Sequence, residues 1–188
     1  VILASQSPRR IDLMREAGFD VRVIPADIDE TALPNEGPFE LVERLARAKA
    51  KAVASEYREQ GETVIAADTI VTLDGKLLGK PVDEADAFQM LRELSGRTHQ
   101  VATGVCIVRD DSVRSFVDIT DVAFYELDDS EIERYIATGE PMDKAGAYGI
   151  QGTYGRILIE KIDGDFYNVV GLPIAKVVRA LKTDERSA

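Results

Sequence analysis

A chain of 188 residues with 45% apolar content is long enough for one ordinary domain and can bury a real core. Its formal net charge of −11 excludes a broad basic field of the kind that holds nucleic acid or an anionic membrane; local arginines and a metal still allow a small anionic ligand. One cysteine, Cys106, and one histidine, His99, exclude an intrachain disulfide, a multi-cysteine metal site and a His–His site.

Residues 1–4 are a short apolar run that reads as a buried strand. Ser5, Ser7 and Pro8 follow, with Arg9 and Arg10 directly after them. Ser7 suits an N-cap and Pro8 the first helical position. Ile11, Leu13 and Met14 supply an apolar face, and Gly18 stops the helix. A strand, a hydroxyl-rich turn and a helix N-terminus beside two guanidinium groups favour a polyanion such as phosphate. The same residues equally describe an ordinary capped helix with solvated arginines. Residues 21–25 read as a second strand and 26–37, ADIDETALPNEG, as an acidic loop. The longest helical pattern covers 39–60, with Leu41, Leu45, Ala48 and Ala52 on one stripe, and Gly61 ends it. Residues 63–73 form an apolar strand interrupted by Asp68 and Thr69, and Asp74-Gly75 makes a tight turn into 76–79.

A helix over 83–94 precedes two long strands, 98–109 and 113–127, joined at Asp110-Asp111. Asp128 and Glu131 form a capping box for a helix ending at Gly139. Residues 140–155 are a polar, glycine-rich loop, 157–162 a strand, Asp163-Gly164-Asp165 a turn and 173–182 a last helix, with the tail TDERSA frayed. Hairpins and crossovers together predict an α/β fold, a mixed twisted sheet flanked by helices. We expect a single domain over residues 1–188, with two lobes around a cleft as its variant. No apolar stretch approaches membrane-spanning length and no signal peptide is visible, which gives the expectation of a soluble cytosolic protein. The chain opens on Val1 rather than Met, so a few residues are expected in front of it.

Asp68 is the sharpest chemical feature, because a carboxylate inside TVIAADTIVTL costs several kcal/mol unless it is paired, binds a metal or faces a cleft. A structural salt bridge is one reading; a general base or metal ligand is the other. Asp27, Asp29 and Glu30 offer the oxygen ligands that Mg²⁺ and Mn²⁺ prefer, or simply a solvated loop. Lys49 lies four residues after Leu45, at the edge of the apolar stripe, and Lys80 sits between Gly79 and Pro81. Either lysine serves a phosphate or only solvent. The segment MDKAGAYGIQG, residues 142–152, carries Lys144, Tyr148 and Gln151 among three glycines and reads as a binding loop; the Gln151 amide both donates and accepts, as a base edge requires. Cys106 reads as a small buried residue and His99 as structural. Phosphate-loop, dinucleotide-loop and nucleophile-elbow motifs are missing from the sequence.

Together, LASQSPRR, DIDET, LARAKA, AADTIV, GKP, LSGRTHQV, DKAGAYGIQG and VVGLP, in that order, resemble the Maf family of nucleoside triphosphate pyrophosphatases. The resemblance implies an inosine-triphosphatase-like α/β fold and cleavage between the α and β phosphates. It also implies a divalent cation (Mg²⁺ or Mn²⁺), a cytoplasmic homodimer without nucleic acid or membrane partners, and a link to septum formation. It makes Asp68 the proton acceptor. Ser5, Ser7, Arg10, Lys49 and Lys80 become phosphate contacts, and Glu30 with Asp68 the metal ligands. Arg9, Thr69 and Gln151 match the branch acting on dTTP and UTP rather than the branch for 7-methyl-GTP. Two rival expectations stand beside it: a nucleotide-sensing regulator of cell division without turnover, and a purine pyrophosphatase of the ITP type.

Overall fold

The computed structural model describes residues 1–57 and 61–185. Strands and helices run β1 (Ile2–Leu3), α1 (Pro8–Glu16), β2 (Arg22–Val23), α2 (Pro38–Tyr57), β3 (Val64–Leu73), β4 (Lys76–Leu78) and α3 (Glu84–Leu94). They continue with β5 (Thr98–Arg109), β6 (Ser112–Phe124), α4 (Asp129–Ile136), α5 (Gly155–Leu158), β7 (Ile159–Asp163), α6 (Phe166–Val170) and α7 (Ile174–Glu185). The sheet order is β2-β1-β3-β5-β6-β7, with β4 paired to β3. β1 is parallel to β2 and β3, whereas β3–β4 and β6–β7 are antiparallel. The mixed sheet with flanking helices is the architecture expected from the sequence.

The chain divides into two compact units, and the boundary on β3 falls between Asp68 and Thr69. The first unit comprises residues 1–68, 103–118 and 171–188. Its core gathers Ile2, Ala4, Ala46, Ala50, Val53, Val64, Ala66 and Cys106. The face that α2 buries carries Val42, Ala46, Ala50 and Val53 beside Leu41 and Leu45; Ala48 and Ala52, expected on the stripe, are only half-buried. The reason is Gly104 of β5: a Cβ there would overlap the Val42 carbonyl, so the helix backbone itself approaches the strand on that side. The end of the expected helix, residues 58–60, lies outside the described residues.

The second unit comprises residues 69–102 and 119–170. Leu91, Leu94, Phe124, Ile132 and Tyr135 centre its core, each side chain contributing about 1.5–3 kcal/mol through its burial. The Asp74-Gly75 turn has φ of 50° and 81°, the double left-handed pair that a two-residue hairpin needs. The Asp128–Glu131 capping box forms at α4 with both of its hydrogen bonds. Two expectations at the end of the chain are corrected. Residues 155–158 make one helical turn before β7, because Ile157 is 61% exposed and its backbone bonds back to Tyr154 instead of a neighbouring strand. The last helix runs on to Glu185, so the tail is helical over its first three residues, and 186–188 lie outside the described residues.

Candidate active site

In the first unit, β1 delivers Ser5 to the start of α1. The Ser5 Oγ accepts from the Ser7 backbone N–H at 3.2 Å and from Arg10 Nη1 at 3.2 Å. Ser7 is the N-cap of α1, but its side chain makes no capping bond. Arg10 Nη1 also donates to the Ala67 carbonyl at 2.8 Å, and Nε donates to the Gly171 carbonyl at 2.8 Å. The Arg10 guanidinium therefore ties α1 to the residue before Asp68 and to the approach to α7. Burial draws the Arg10 pKa below its ordinary value, and the Asp68 carboxylate acts in the opposite sense. Arg9 lies next to it, half-buried.

Asp68 sits where β3 turns from fully buried residues to half-buried ones. Its Oδ1 accepts from Lys49 Nζ at 2.6 Å, and the same ammonium lies 2.7 Å from Glu30 Oε1. The Lys49 side chain is 12% exposed and that of Asp68 14%, so their charges meet largely out of water; Glu30 is 59% exposed. Lys49 is thus neither a snorkelling lysine nor a solvated one: it joins a strand carboxylate to a loop carboxylate. Of the other acidic loop residues, Asp29 turns back on its own loop, accepting from the Thr31 N–H; hydrogen bonding to the Thr31 hydroxyl first, and to this N–H second, lowers its pKa. Asp27 is exposed.

No cluster of three or more His, Cys, Asp or Glu ligands exists among the described residues. Asp68 and Glu30 still converge on one cation, the Lys49 ammonium. Two hard oxygen donors fit Mg²⁺ or Mn²⁺, ions that complete their shells with water and substrate phosphate.

In the second unit, Thr69 is half-buried on β3, and Lys80 and Gln151 are exposed. The Gly79 carbonyl accepts from the Gly146 N–H at 3.0 Å, which ties the Lys80 segment to the glycine-rich loop. That loop contains two 3₁₀ turns, Glu140–Asp143 and Ala145–Ala147. Its tip is held by residues that the sequence reading did not single out. The Tyr135 hydroxyl accepts from the Gly149 N–H at 3.0 Å and donates to Glu140 Oε1 at 3.3 Å. Arg156 donates from Nε to the Gly152 carbonyl at 3.0 Å and from Nη2 to the Gln151 carbonyl at 2.9 Å. Only the three-residue spacing of Gly149, Gly152 and Gly155 hints at this in the sequence. Tyr148 and His99 are buried together, with His99 Nε2 and the Tyr148 hydroxyl 2.7 Å apart. His99 is therefore a core residue, as expected, and so is Cys106, whose pKa burial pushes up to about 11.

A family model described as "Maf-like protein" matches residues 1–184. A dTTP/UTP pyrophosphatase of Latilactobacillus sakei is 51% identical over 181 residues, spanning 96% of this chain and 98% of that protein. The protein of the same name from Bacillus velezensis is 52% identical over 182 residues, spanning 97% and 95%. That from Pyrococcus furiosus is 48% identical over 182 residues, spanning 97% and 94%. Among solved structures, a nucleoside-triphosphatase / dITP/XTP pyrophosphatase from Mycobacterium abscessus aligns with a TM-score of 0.42 at 16% identity, over 67% of this chain and 74% of that one.

Proposed function

This chain belongs to the Maf family, and we propose that it hydrolyses dTTP and UTP to the monophosphate and pyrophosphate. The observation that carries the substrate is identity near one half, over nearly the whole chain, to proteins named dTTP/UTP pyrophosphatase. On the family resemblance we also read it as a cytoplasmic homodimer with a link to septum formation.

In this reading, Asp68 accepts a proton from the water that attacks the α phosphorus. Lys49, hydrogen-bonded to Asp68, holds that carboxylate in place and lends positive charge to the phosphates. Ser5, Ser7 and Arg9 bind phosphate oxygens at the start of α1, and Arg10 orients that turn through its bonds to Ser5 and to the Ala67 and Gly171 carbonyls. Lys80 adds a further phosphate contact. Glu30 and Asp68 would hold Mg²⁺ or Mn²⁺, which when bound would supply positive charge beside the phosphates.

Gln151 reads the base; the family resemblance also marks Thr69 and Arg9 as selectivity positions, Arg9 acting through its hold on the phosphates. Thymine and uracil present a ring N–H between two carbonyls. The Gln151 amide accepts from that N–H and donates to a carbonyl, a pairing that cytosine breaks. The test is pyrophosphate release from dTTP, UTP, CTP, GTP and ITP with Mg²⁺. We expect rapid release from dTTP and UTP and slow release from the rest. Equal or faster release from ITP or GTP overturns the substrate class, and binding without release overturns the enzyme.

A further inference from the structure

We propose that Tyr135 and Glu140 are positioning residues for base selection: through one shared hydroxyl and one packed carboxylate they fix the turn 149–152 on which Gln151 stands. The inference rests on the reading of Gln151 as the residue that meets the base.

The argument starts from the backbone. A two-point contact with a base edge discriminates only if the amide is held in one orientation; otherwise it adapts to the wrong base. Gln151 is exposed and lies in a segment without a regular helix or strand, so neither its own burial nor a ladder of main-chain bonds can orient it. The turn that carries it closes on itself, with the Gly152 N–H donating to the Gly149 carbonyl at 3.1 Å. Side chains then grip this turn from two directions. Arg156 holds the carbonyls of Gln151 and Gly152. From the other direction, Tyr135 takes the Gly149 N–H and passes its own proton to Glu140.

The glycines show how tight this grip is. A Cβ at Gly152 would overlap the Glu140 carboxylate. A Cβ at Gly149 would lie 2.7 Å from Cδ and Cε of Lys144, whose Nζ donates to the Glu140 carbonyl at 2.5 Å. A Cβ at Gly155 would overlap the Gly149 carbonyl and lie 3.1 Å from the Tyr135 hydroxyl. The three positions are thus filled by the side chains or backbone that support the loop. Tyr135 is buried on α4, a helix fixed at its start by a capping box, so the hydroxyl is a rigid reference point. Burial raises its pKa well above the usual phenol range, which keeps it a neutral group able to accept and donate at once.

The experiment measures kcat/KM for dTTP and CTP, by pyrophosphate release, in wild type, Tyr135→Phe, Glu140→Ala, Glu140→Gln, Gln151→Ala and the double variant Tyr135→Phe with Gln151→Ala. We expect Tyr135→Phe and Glu140→Ala each to lower the dTTP-to-CTP ratio about tenfold, mainly through KM for dTTP. Glu140→Gln should keep most of the ratio, because its amide oxygen still accepts from Tyr135. Tyr135→Phe should lower the ratio no further once Gln151 is alanine, since its effect passes through that side chain. Should Tyr135→Phe fail to fold, as judged by its thermal transition, Glu140→Ala carries the test alone. An unchanged ratio in the folded variants, or an equal loss for both nucleotides, overturns the inference while Gln151→Ala still lowers the ratio. An unchanged ratio in Gln151→Ala overturns the base-reading itself.

Discussion

The charged cluster of the first unit and the glycine-rich loop of the second are built by opposite means. Asp68, Lys49 and Arg10 stand on a strand and two helices, and their own charges and hydrogen bonds determine where they meet. The loop at residues 140–154 has only short 3₁₀ turns, and close packing defines it: Tyr135, Glu140, Lys144 and Arg156 hold its main chain, and their atoms or the loop's own backbone fill the space beside Gly149, Gly152 and Gly155. Paired charges are the device in one region and close packing around glycines in the other. Removing a charge from the first should therefore injure chemistry before folding. Adding a methyl group to the second should injure folding, or fit, before chemistry.

The strongest way to break this contrast is Asp68→Asn. The amide keeps the shape and can still accept from Lys49, but it cannot take a proton. We expect turnover to fall about 1,000-fold with a thermal midpoint within about 4 °C of wild type. Pyrophosphate release and thermal unfolding on one preparation decide it. A variant that is destabilised yet turns over normally would make Asp68 a structural ion pair.

The opposite perturbation is Gly155→Ala. The new Cβ overlaps the Gly149 carbonyl, and backbone on both sides must move. A stability loss of about 3 kcal/mol in urea unfolding is expected, with the activity of the surviving folded fraction shifted in base preference more than in turnover. Gly104→Ala makes a similar overlap with the Val42 carbonyl, between α2 and β5. It should cost a comparable amount without changing base preference. Equal specificity in the two variants would show that the loop gains nothing from its tight packing.

The same contrast explains what could be read before the fold was known. A carboxylate in an apolar strand, a lysine at the edge of an apolar stripe and acidic residues in a loop are each costly or conspicuous, so Asp68, Lys49 and Glu30 stood out singly. Strand and helix periodicity, the Asp74-Gly75 turn and the Asp128–Glu131 box were legible for the same local reasons. What was hidden is three-dimensional. Nothing in the sequence says that Arg10 spends its guanidinium on carbonyls at positions 67 and 171, or that Lys49 reaches both carboxylates. Nor could Glu140 be connected with Gly152, since the contact depends on how two irregular turns fold back on each other.

Arg9 and Arg10, adjacent in sequence, sharpen the comparison inside the first unit. Arg10→Ala removes three internal hydrogen bonds and leaves two carbonyls without that donor, so it should lower stability by about 2 kcal/mol as well as turnover. Arg9→Ala should weaken triphosphate binding by about 2 kcal/mol, roughly thirtyfold. Thymidine binding should be almost unaffected, because a guanidinium on phosphate does not meet the base. Parallel calorimetry with dTTP and thymidine checks this, and equal losses for both ligands would remove Arg9 from the phosphates.

The last expected effect is a pH dependence confined to the second unit, which holds the chain's one histidine. His99 is 1% exposed, packed edge-on against Phe124 and Tyr148, and no described residue bonds its Nδ1. Burial holds its pKa down at about 4, against an ordinary value of 6.5, and the more distant Asp121 only partly opposes this. Above pH 6.5 both folded and unfolded chains carry a neutral imidazole, and its contribution is fully present. Between pH 6.5 and 4 the unfolded chain binds a proton that the folded chain refuses, so stability falls as the pH falls, by about 3 kcal/mol at most. Carboxylates add their own acid loss at lower pH; Glu36, for example, is held down to about 2 chiefly by its hydrogen bond from Arg44. The difference between wild type and His99→Gln therefore isolates the histidine: their urea midpoints should converge as the pH drops from 7.5 to 4.5. Hydrogen exchange should show the weakening at amides of β5 around His99 and of β6 around Phe124, and not at α2 or β1. A constant difference between the two proteins across that range would mean that His99 stays protonatable in the folded chain, and that the core of the second unit is more open to water than its packing implies.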